Sequence, residues 1–432
     1  MAEPTILLLS TSDTDLISAR SSGKNYRWAN PSRLSEDELP DLLAGAAIVV
    51  VRILGGYRAW QSGIDSVIAS GVPTVLVSGE QAADAELTGL STLAAGIAVQ
   101  AHIYLAHGGV DNLRQLHAFL SDTVLMTGFG FTPPVVTPTW GELARADAGT
   151  TGPTIAVLYY RAQHLAGNTA YIESLCRAIE DEGGRPLPVY CASLRTAEPE
   201  LLQRLGDADA MVVTVLAAGG LKPAAVGAGG DDESWNVEHL AALDIPILQG
   251  LCLTSPRDQW CDNDDGLSPL DVASQVAVPE FDGRIITVPF SFKEIDDDGL
   301  ISYVADPERC SRVAGLAVRH ARLRHVAPAD KRVALVFSAY PTKHARIGNA
   351  VGLDTPASAV ALLRAMREHG YHVGDLPGVE NADGDVLIHA LIERGGQDPD
   401  WLTEGQLAGN PIRVSAKDYR AWFTTLPAEL TE

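Results

Sequence analysis

Short, unbroken apolar runs recur along this chain and stop at glycine, and they limit the fold more than any other feature. Residues 46–54 are apolar apart from Arg52 and halt at Gly55-Gly56, and residues 5–9 form a shorter run of the same kind. Strands with one wet face alternate apolar and polar residues, whereas unbroken runs belong to strands buried on both faces, as in parallel sheets. After residue 54, residues 60–70 read as a helix closed by Gly71, and residues 73–77 return to strand. The unit is β-α-β.

The same grammar resumes downstream. Residues 154–160 read as strand, Asn168 is placed to cap a helix, and Gly183-Gly184 stop it, with Ile172, Leu175, Cys176 and Ile179 spaced i, i+3, i+4, i+7 along one face. Strand candidates follow at 185–190, 210–216 and 245–249. The expected fold class is therefore α/β, with several open, mostly parallel sheet domains of the doubly wound, flavodoxin-like type. At about 100 to 200 residues per domain, the 432 residues suggest about three cores.

Residues 94–120 read as helix broken at Gly108-Gly109, and a boundary is expected near 149–153. The expected domains are 1–150, a first α/β domain; 151–251, a second; 252–330, a connecting α+β region; and 331–432, a third α/β domain cut short by the end of the chain. The connecting region holds a polar loop, Asp262-Asn-Asp-Asp-Gly266, a strand at 284–290 and an arginine-rich helix at 307–325. The third domain opens with a strand at 332–338. Its helix follows Thr355-Pro356, carries the stripe Ala359, Leu362, Leu363 and Met366, and ends at Gly370. A glycine- and alanine-rich loop between Leu216 and Trp235 is too long for a tight turn, which suits a segment that serves a site.

Composition narrows the function classes. Acidic residues number 55 against 32 basic ones, a net charge of -23, so phosphate backbones and anionic lipid are repelled on average. Nucleic acid is not an expected partner. No apolar stretch reaches the roughly 18 residues of a membrane span, and no secretory leader pattern opens the chain. Five scattered cysteines fit reduced thiols, and the expected location is cytoplasmic.

Familiar site motifs fail one by one. A phosphate loop of the G-x-x-x-x-G-K-[ST] type is lacking. Asp262, Asp264 and Gly266 resemble a calcium loop, but glycine falls one place early and position twelve is Ala273. His320 and His325 diverge around a helix, no Cys-x-x-Cys or His-Glu-x-x-His occurs, and no Gly-x-Ser-x-Gly elbow is found. His102, His107 and His117 fall in helix-compatible sequence and are given structural roles. No metal ligand set is expected, and catalytic residues stay unassigned.

Two polar loops remain, each after a strand and before a helix, where open α/β sheets bind ligands. The first, Tyr159-Tyr-Arg-Ala-Gln-His-Leu-Ala-Gly-Asn168, offers Arg161, His164 and Asn168. The second, Tyr340-Pro-Thr-Lys-His-Ala-Arg-Ile-Gly-Asn349, offers Lys343, His344, Arg346 and Asn349, with Gly348 and Gly352 permitting close backbone approach. The alternative for both is a structured crossover whose charges face water.

These loops, together with Gly109-Val-Asp-Asn-Leu-Arg-Gln-Leu-His117 and Val278-Pro-Glu-Phe-Asp-Gly-Arg284, carry a resemblance to the amino-terminal part of the large, CobN-type subunit of aerobic cobaltochelatases, a family related to the large subunit of magnesium chelatase. The resemblance implies cobalt insertion into hydrogenobyrinic acid a,c-diamide during cobalamin biosynthesis. It also implies an AAA+ ATPase partner that uses the ATP, and an adaptor with an integrin-like domain. Cobalt is then substrate of the intact complex, and no tightly bound cofactor is expected in this chain. Family subunits are much longer, so the chain is expected to be a piece of one, inactive by itself. Its seven loop residues become candidates for corrinoid contact, with both loops expected to line one interdomain cleft. The competing expectation is a non-catalytic module for scaffolding and partner docking.

Overall fold

The computed structural model describes residues 3–35, 37–80, 82–146, 149, 151–195, 197–215, 237–338, 347–394, 403–405 and 413–430. The chain is a mixed α/β protein divided into two compact units, Met1–Arg322 and Leu323–Glu432.

The first unit contains two sheets. Strands β1 (Ile6–Ser10), β2 (Tyr26–Ala29), β3 (Ile48–Ile53) and β4 (Thr74–Ser78) pair in the order β2-β1-β3-β4, all parallel. The continuous apolar runs have the predicted cause. Ile6, Leu8, Ile48 and Val50 face helices α1 (Asp13–Ser21), α5 (Ala95–His107) and α6 (Val110–Leu125), whereas Leu7, Leu9, Val49 and Val51 face α2 (Leu39–Leu43), α3 (Gln61–Ala69) and α4 (Ala85–Leu90). Both faces are dry.

Arg52, the one charge in these runs, is accounted for. Its Nη1 donates to both Asp15 carboxylate oxygens at 2.8 and 2.9 Å and to the Leu105 carbonyl at 3.0 Å, and its Nη2 donates to the Gly79 carbonyl at 3.1 Å. Ser10 Oγ donates to Asp15 at 2.6 Å. The pair ties α1 to the ends of β1, β3 and β4 in a site closed to water.

The second sheet follows the order β11-β10-β9-β8-β6-β7-β5. Its middle is parallel: β6 (Thr154–Tyr160), β7 (Arg185–Cys191), β8 (Ala210–Val213), β9 (Ile247–Leu253) and β10 (Ile285–Ile295). The edge strands β5 (Trp140–Glu142) and β11 (Ile301–Ala305) are antiparallel. One face packs on α8 (Ala170–Asp181) and α14 (Pro307–Leu323), and the other on α9 (Pro199–Gly206) and α10 (Glu238–Ala241). The stripe Ile172, Leu175, Cys176 and Ile179 is fully buried, as its spacing predicts.

Between β6 and α8 lies the short α7 (Arg161–Ala166), on which α1 packs. Ser18 Oγ donates to the Leu165 carbonyl at 3.4 Å, and a Cβ at Gly109, whose φ is +92°, would come within 3.2 Å of Leu165. The glycine pair that breaks α5 from α6 is thus also a packing requirement. Arg20 pairs with Asp296 and Asp298 beyond β10, joining the two sheets' surroundings a second time.

Several elements depart from the sequence reading. β5 lies inside 1–150 yet joins the second sheet, and residues 252–330, read as a connecting region, supply β10, β11 and α14 to that sheet. The intervening chain forms α11 (Arg257–Cys261), then α12 (Pro269–Asp271), a π-helical segment Val272–Ala277 and α13 (Val278–Phe281). The helix after Asn168 has Thr169 at its N-cap position, with no side-chain cap bond.

In the second unit, residues 332–338 form no strand among the described residues. Apolar, β-branched sequence favours a strand only where another strand accepts its hydrogen bonds, and Val336 is 88% exposed. Helix α15 (Thr355–Glu368) begins under the Asp354 cap and packs on α16 (Gly384–Glu393) through Ala359, Val360, Leu363 and Leu387. Val360 takes the buried place expected for Leu362, which is 48% exposed.

Replacing Asp15 with alanine strands the buried Arg52 cation and is expected to lower stability by about 3–5 kcal/mol in urea unfolding. The double variant Asp15→Ala, Arg52→Met should recover most of that loss.

Candidate functional site

Strand β6 is flanked by β7 on one side and β8 on the other, so the chain reverses direction across the sheet after β7. In open sheets of this kind ligands bind at the carboxyl ends of the two strands that flank such a reversal, and here those strands are β6 and β8. Arg161 and His164 stand there, on α7, immediately after β6.

Register builds the inner wall. Tyr159 and Tyr190 are direct partners in the β6–β7 ladder, so their rings share one face of the sheet and meet edge to face, 6.3 Å apart. The His164 ring stacks on Tyr190 at 4.0 Å and 18°, and its Nδ1 lies 3.0 Å from the Tyr159 hydroxyl. Burial raises the pKa of the Tyr159 phenol, which keeps its proton available for donation. With Tyr159 donating, Nδ1 accepts and Nε2 carries the ring hydrogen. Burial, and secondarily the charge of Arg161, hold the His164 pKa below its ordinary value. The ring is therefore a neutral donor near pH 7.

Arg161 is aimed by backbone. Its Nε donates to the Pro138 carbonyl and its Nη2 to the Thr137 carbonyl, both at 2.8 Å. Among the described residues Nη1 has no protein acceptor. Helix α7 is itself held in place: Tyr171, fully buried on α8, donates its hydroxyl to Gln163 Oε1, and Gly167 closes the helix at φ +69°. A guanidinium edge and an imidazole N–H on one turn of helix suit an acceptor with negative charge, such as a carboxylate.

Asn168 closes the loop after α7, and its Oδ1 accepts the Tyr303 backbone N–H on β11 at 3.2 Å. Asn349 is exposed in the second unit, beside Gly348 (φ +69°), where a Cβ would come within 2.9 Å of Thr355. Lys343, His344 and Arg346 lie outside the described residues. Among the described residues no group of three or more His, Cys, Asp or Glu is arranged to hold a metal ion, and no helix is long and apolar enough to cross a membrane. His102 and His117 bond the Glu80 and Pro4 carbonyls.

Sequence reasoning passed over Tyr159, Tyr190 and Tyr171. Period-two counting puts Tyr159 on the face of Ile155 and Val157, but Tyr190 joins it only once the β6–β7 register is known.

The chain matches the CobN/Magnesium Chelatase family over residues 102–432. It is 34% identical over 434 residues to the aerobic cobaltochelatase subunit CobN of Pseudomonas aeruginosa, covering 93% of this chain and 33% of that protein. The CobN subunit of a Sinorhizobium species is 31% identical, with 99% and 36% covered. Among solved structures, the catalytic subunit of cobaltochelatase from Mycobacterium tuberculosis superposes with a TM-score of 0.87 at 85% identity, over 99% of this chain and 35% of that one. The chain spans about a third of the length of these relatives.

The His164 imidazole, followed by NMR, should titrate below its ordinary pKa. Arg161→Gln should raise the midpoint only part of the way, since burial is the larger cause. A midpoint at or above the ordinary value would contradict the half-buried, stacked ring.

Proposed function

We propose, from the premise that the chain belongs to the CobN/magnesium chelatase family, that it is the amino-terminal region of the corrin-binding subunit of an ATP-dependent cobaltochelatase. In this reading the carboxyl edge of the second sheet receives carboxylates at the rim of hydrogenobyrinic acid a,c-diamide. The observation that carries it is the pairing of Arg161, oriented by two carbonyls, with the stacked, neutral His164 on a single short helix.

Cobalt insertion requires the ion to shed water, the ring nitrogens to release protons and the macrocycle to deform. Holding the rim at fixed points restrains the ring so that deformation elsewhere acts on its centre. A chain of net charge -23 repels a polycarboxylate at long range, so a local cation is needed wherever the corrinoid docks. Arg161 supplies one, and Lys343 and Arg346 extend the same role to the second loop, with His344 and Asn349 as further contacts. Cobalt is substrate. ATP is hydrolysed by an AAA+ partner subunit, coupled through an adaptor with an integrin-like domain, and the complex works in the cytoplasm.

Calorimetry or fluorescence quenching with hydrogenobyrinic acid a,c-diamide tests the reading. The chain should bind, and Arg161→Ala should weaken binding about tenfold or more, the roughly 1.5–3 kcal/mol of a charge-assisted hydrogen bond, without altering thermal unfolding. Lys343→Ala with His344→Ala should likewise affect binding more than unfolding. An absence of binding, with association to the ATPase partner retained, would favour a scaffolding and docking module.

A further inference from the structure

The motif Val278-Pro-Glu-Phe-Asp-Gly-Arg284 takes no part in the site above, yet its arginine is only 4% exposed. Arg284 Nη1 donates to the Val215 carbonyl at 2.8 Å and to Gln249 Oε1 at 2.7 Å, and Nη2 donates to Asp282 Oδ2 at 2.6 Å. Neither side chain of the ion pair has exposed surface. Gln249 Nε2 passes the chain of bonds to Gln275 Oε1 at 3.2 Å, which also accepts the Cys252 backbone N–H at 3.3 Å.

Two irregularities accommodate this network. Gln275 lies in the π-helical segment Val272–Ala277, and β10 slips register against β9 twice between Ile286 and Ser291. Buried ion pairs are often matched by apolar residues of similar size, and π segments and bulges concentrate near functional sites. The network therefore calls for something that it holds in place, and its far end is the Val215 carbonyl, two residues past β8. From there the contacts lead to the site. Thr214 donates through its backbone N–H and its hydroxyl to the Leu158 carbonyl at 2.9 and 3.0 Å. Tyr171, in one buried cluster with Val212 of β8 and Tyr159 of β6, donates its hydroxyl to Gln163 on α7.

We propose that Arg284 is a positioning residue for the carboxyl-edge site. By holding the Val215 carbonyl it fixes the end of β8 against β6 through Thr214, and with those strands the packing of Tyr171, whose hydroxyl seats Gln163 on the helix that presents Arg161 and His164. The assignment rests on the corrinoid reading of that site.

The test uses the full chain with Arg284→Met and Asp282→Leu combined, which removes the pair without stranding either charge. One readout is the His164 ring-proton resonances, set by its stack on Tyr190. The other is the Kd for hydrogenobyrinic acid a,c-diamide. Thermal unfolding should be unchanged, the resonances should move toward those of an unstacked imidazole, and Kd should rise about tenfold. Arg284→Lys keeps the charge but loses the planar fork and should move the same resonances in the same direction. Parental resonances and parental Kd in a folded double variant would overturn the assignment. If the double variant does not fold, Arg284→Lys decides by the same two readouts. Should the parent chain bind no corrinoid, the reading of the site fails, while the His164 resonances still decide the role of Arg284.

Discussion

Strand β6 is hydrogen-bonded in parallel on both sides, to β7 and to β8, and the candidate site depends on that double pairing. Strand order reverses there, with β7 on one side of β6 and β8 then β9 on the other, and the carboxyl ends at such a reversal are where open sheets bind ligands. The same pairing sets Tyr159 level with Tyr190, and the stacked His164 needs both rings. Helix α7 begins where β6 ends, so Arg161 inherits its position from the strand. A slip of one residue would send Tyr159 to the opposite face and dismantle the wall.

Much of this was legible in the sequence because buried parallel strands leave continuous apolar runs. The expected strands at 154–160, 185–190 and 73–77 match β6, β7 and β4 to within a residue or so. The break at Gly108-Gly109 also stood out, since glycine is needed there at positive φ and against Leu165. What escaped is what depends on distant partners. β5 is three residues long and exists only because β7 offers an edge. Residues 332–338 have strand composition without a described strand beside them. Arg52, an anomaly in its run, makes sense only with Asp15, 37 residues earlier.

The site was half legible. Placing a polar loop after a strand brought out Arg161 and His164 as candidates at the end of β6, because position in an α/β unit follows from local order. Asn168 was misread as a cap because capping preference is a local statistic, whereas its Oδ1 accepts from Tyr303, 135 residues away, and Thr169 takes the N-cap position. The tyrosines that govern His164 look, in sequence, like ordinary core residues. Electrostatics show the same division: net charge ranks the whole surface, whereas the guanidinium of Arg161 is held at the end of β6 by the Thr137 and Pro138 carbonyls, which no charge count reveals.

In the corrinoid reading a carboxylate-bearing ring sits at the carboxyl ends of β6 and β8. The most direct test of that reading is a crystal structure of the chain grown with hydrogenobyrinic acid a,c-diamide. The account predicts a rim carboxylate of the ring within hydrogen-bonding distance of Arg161 and of His164 Nε2. A corrinoid bound elsewhere, with both side chains still facing solvent, would contradict it.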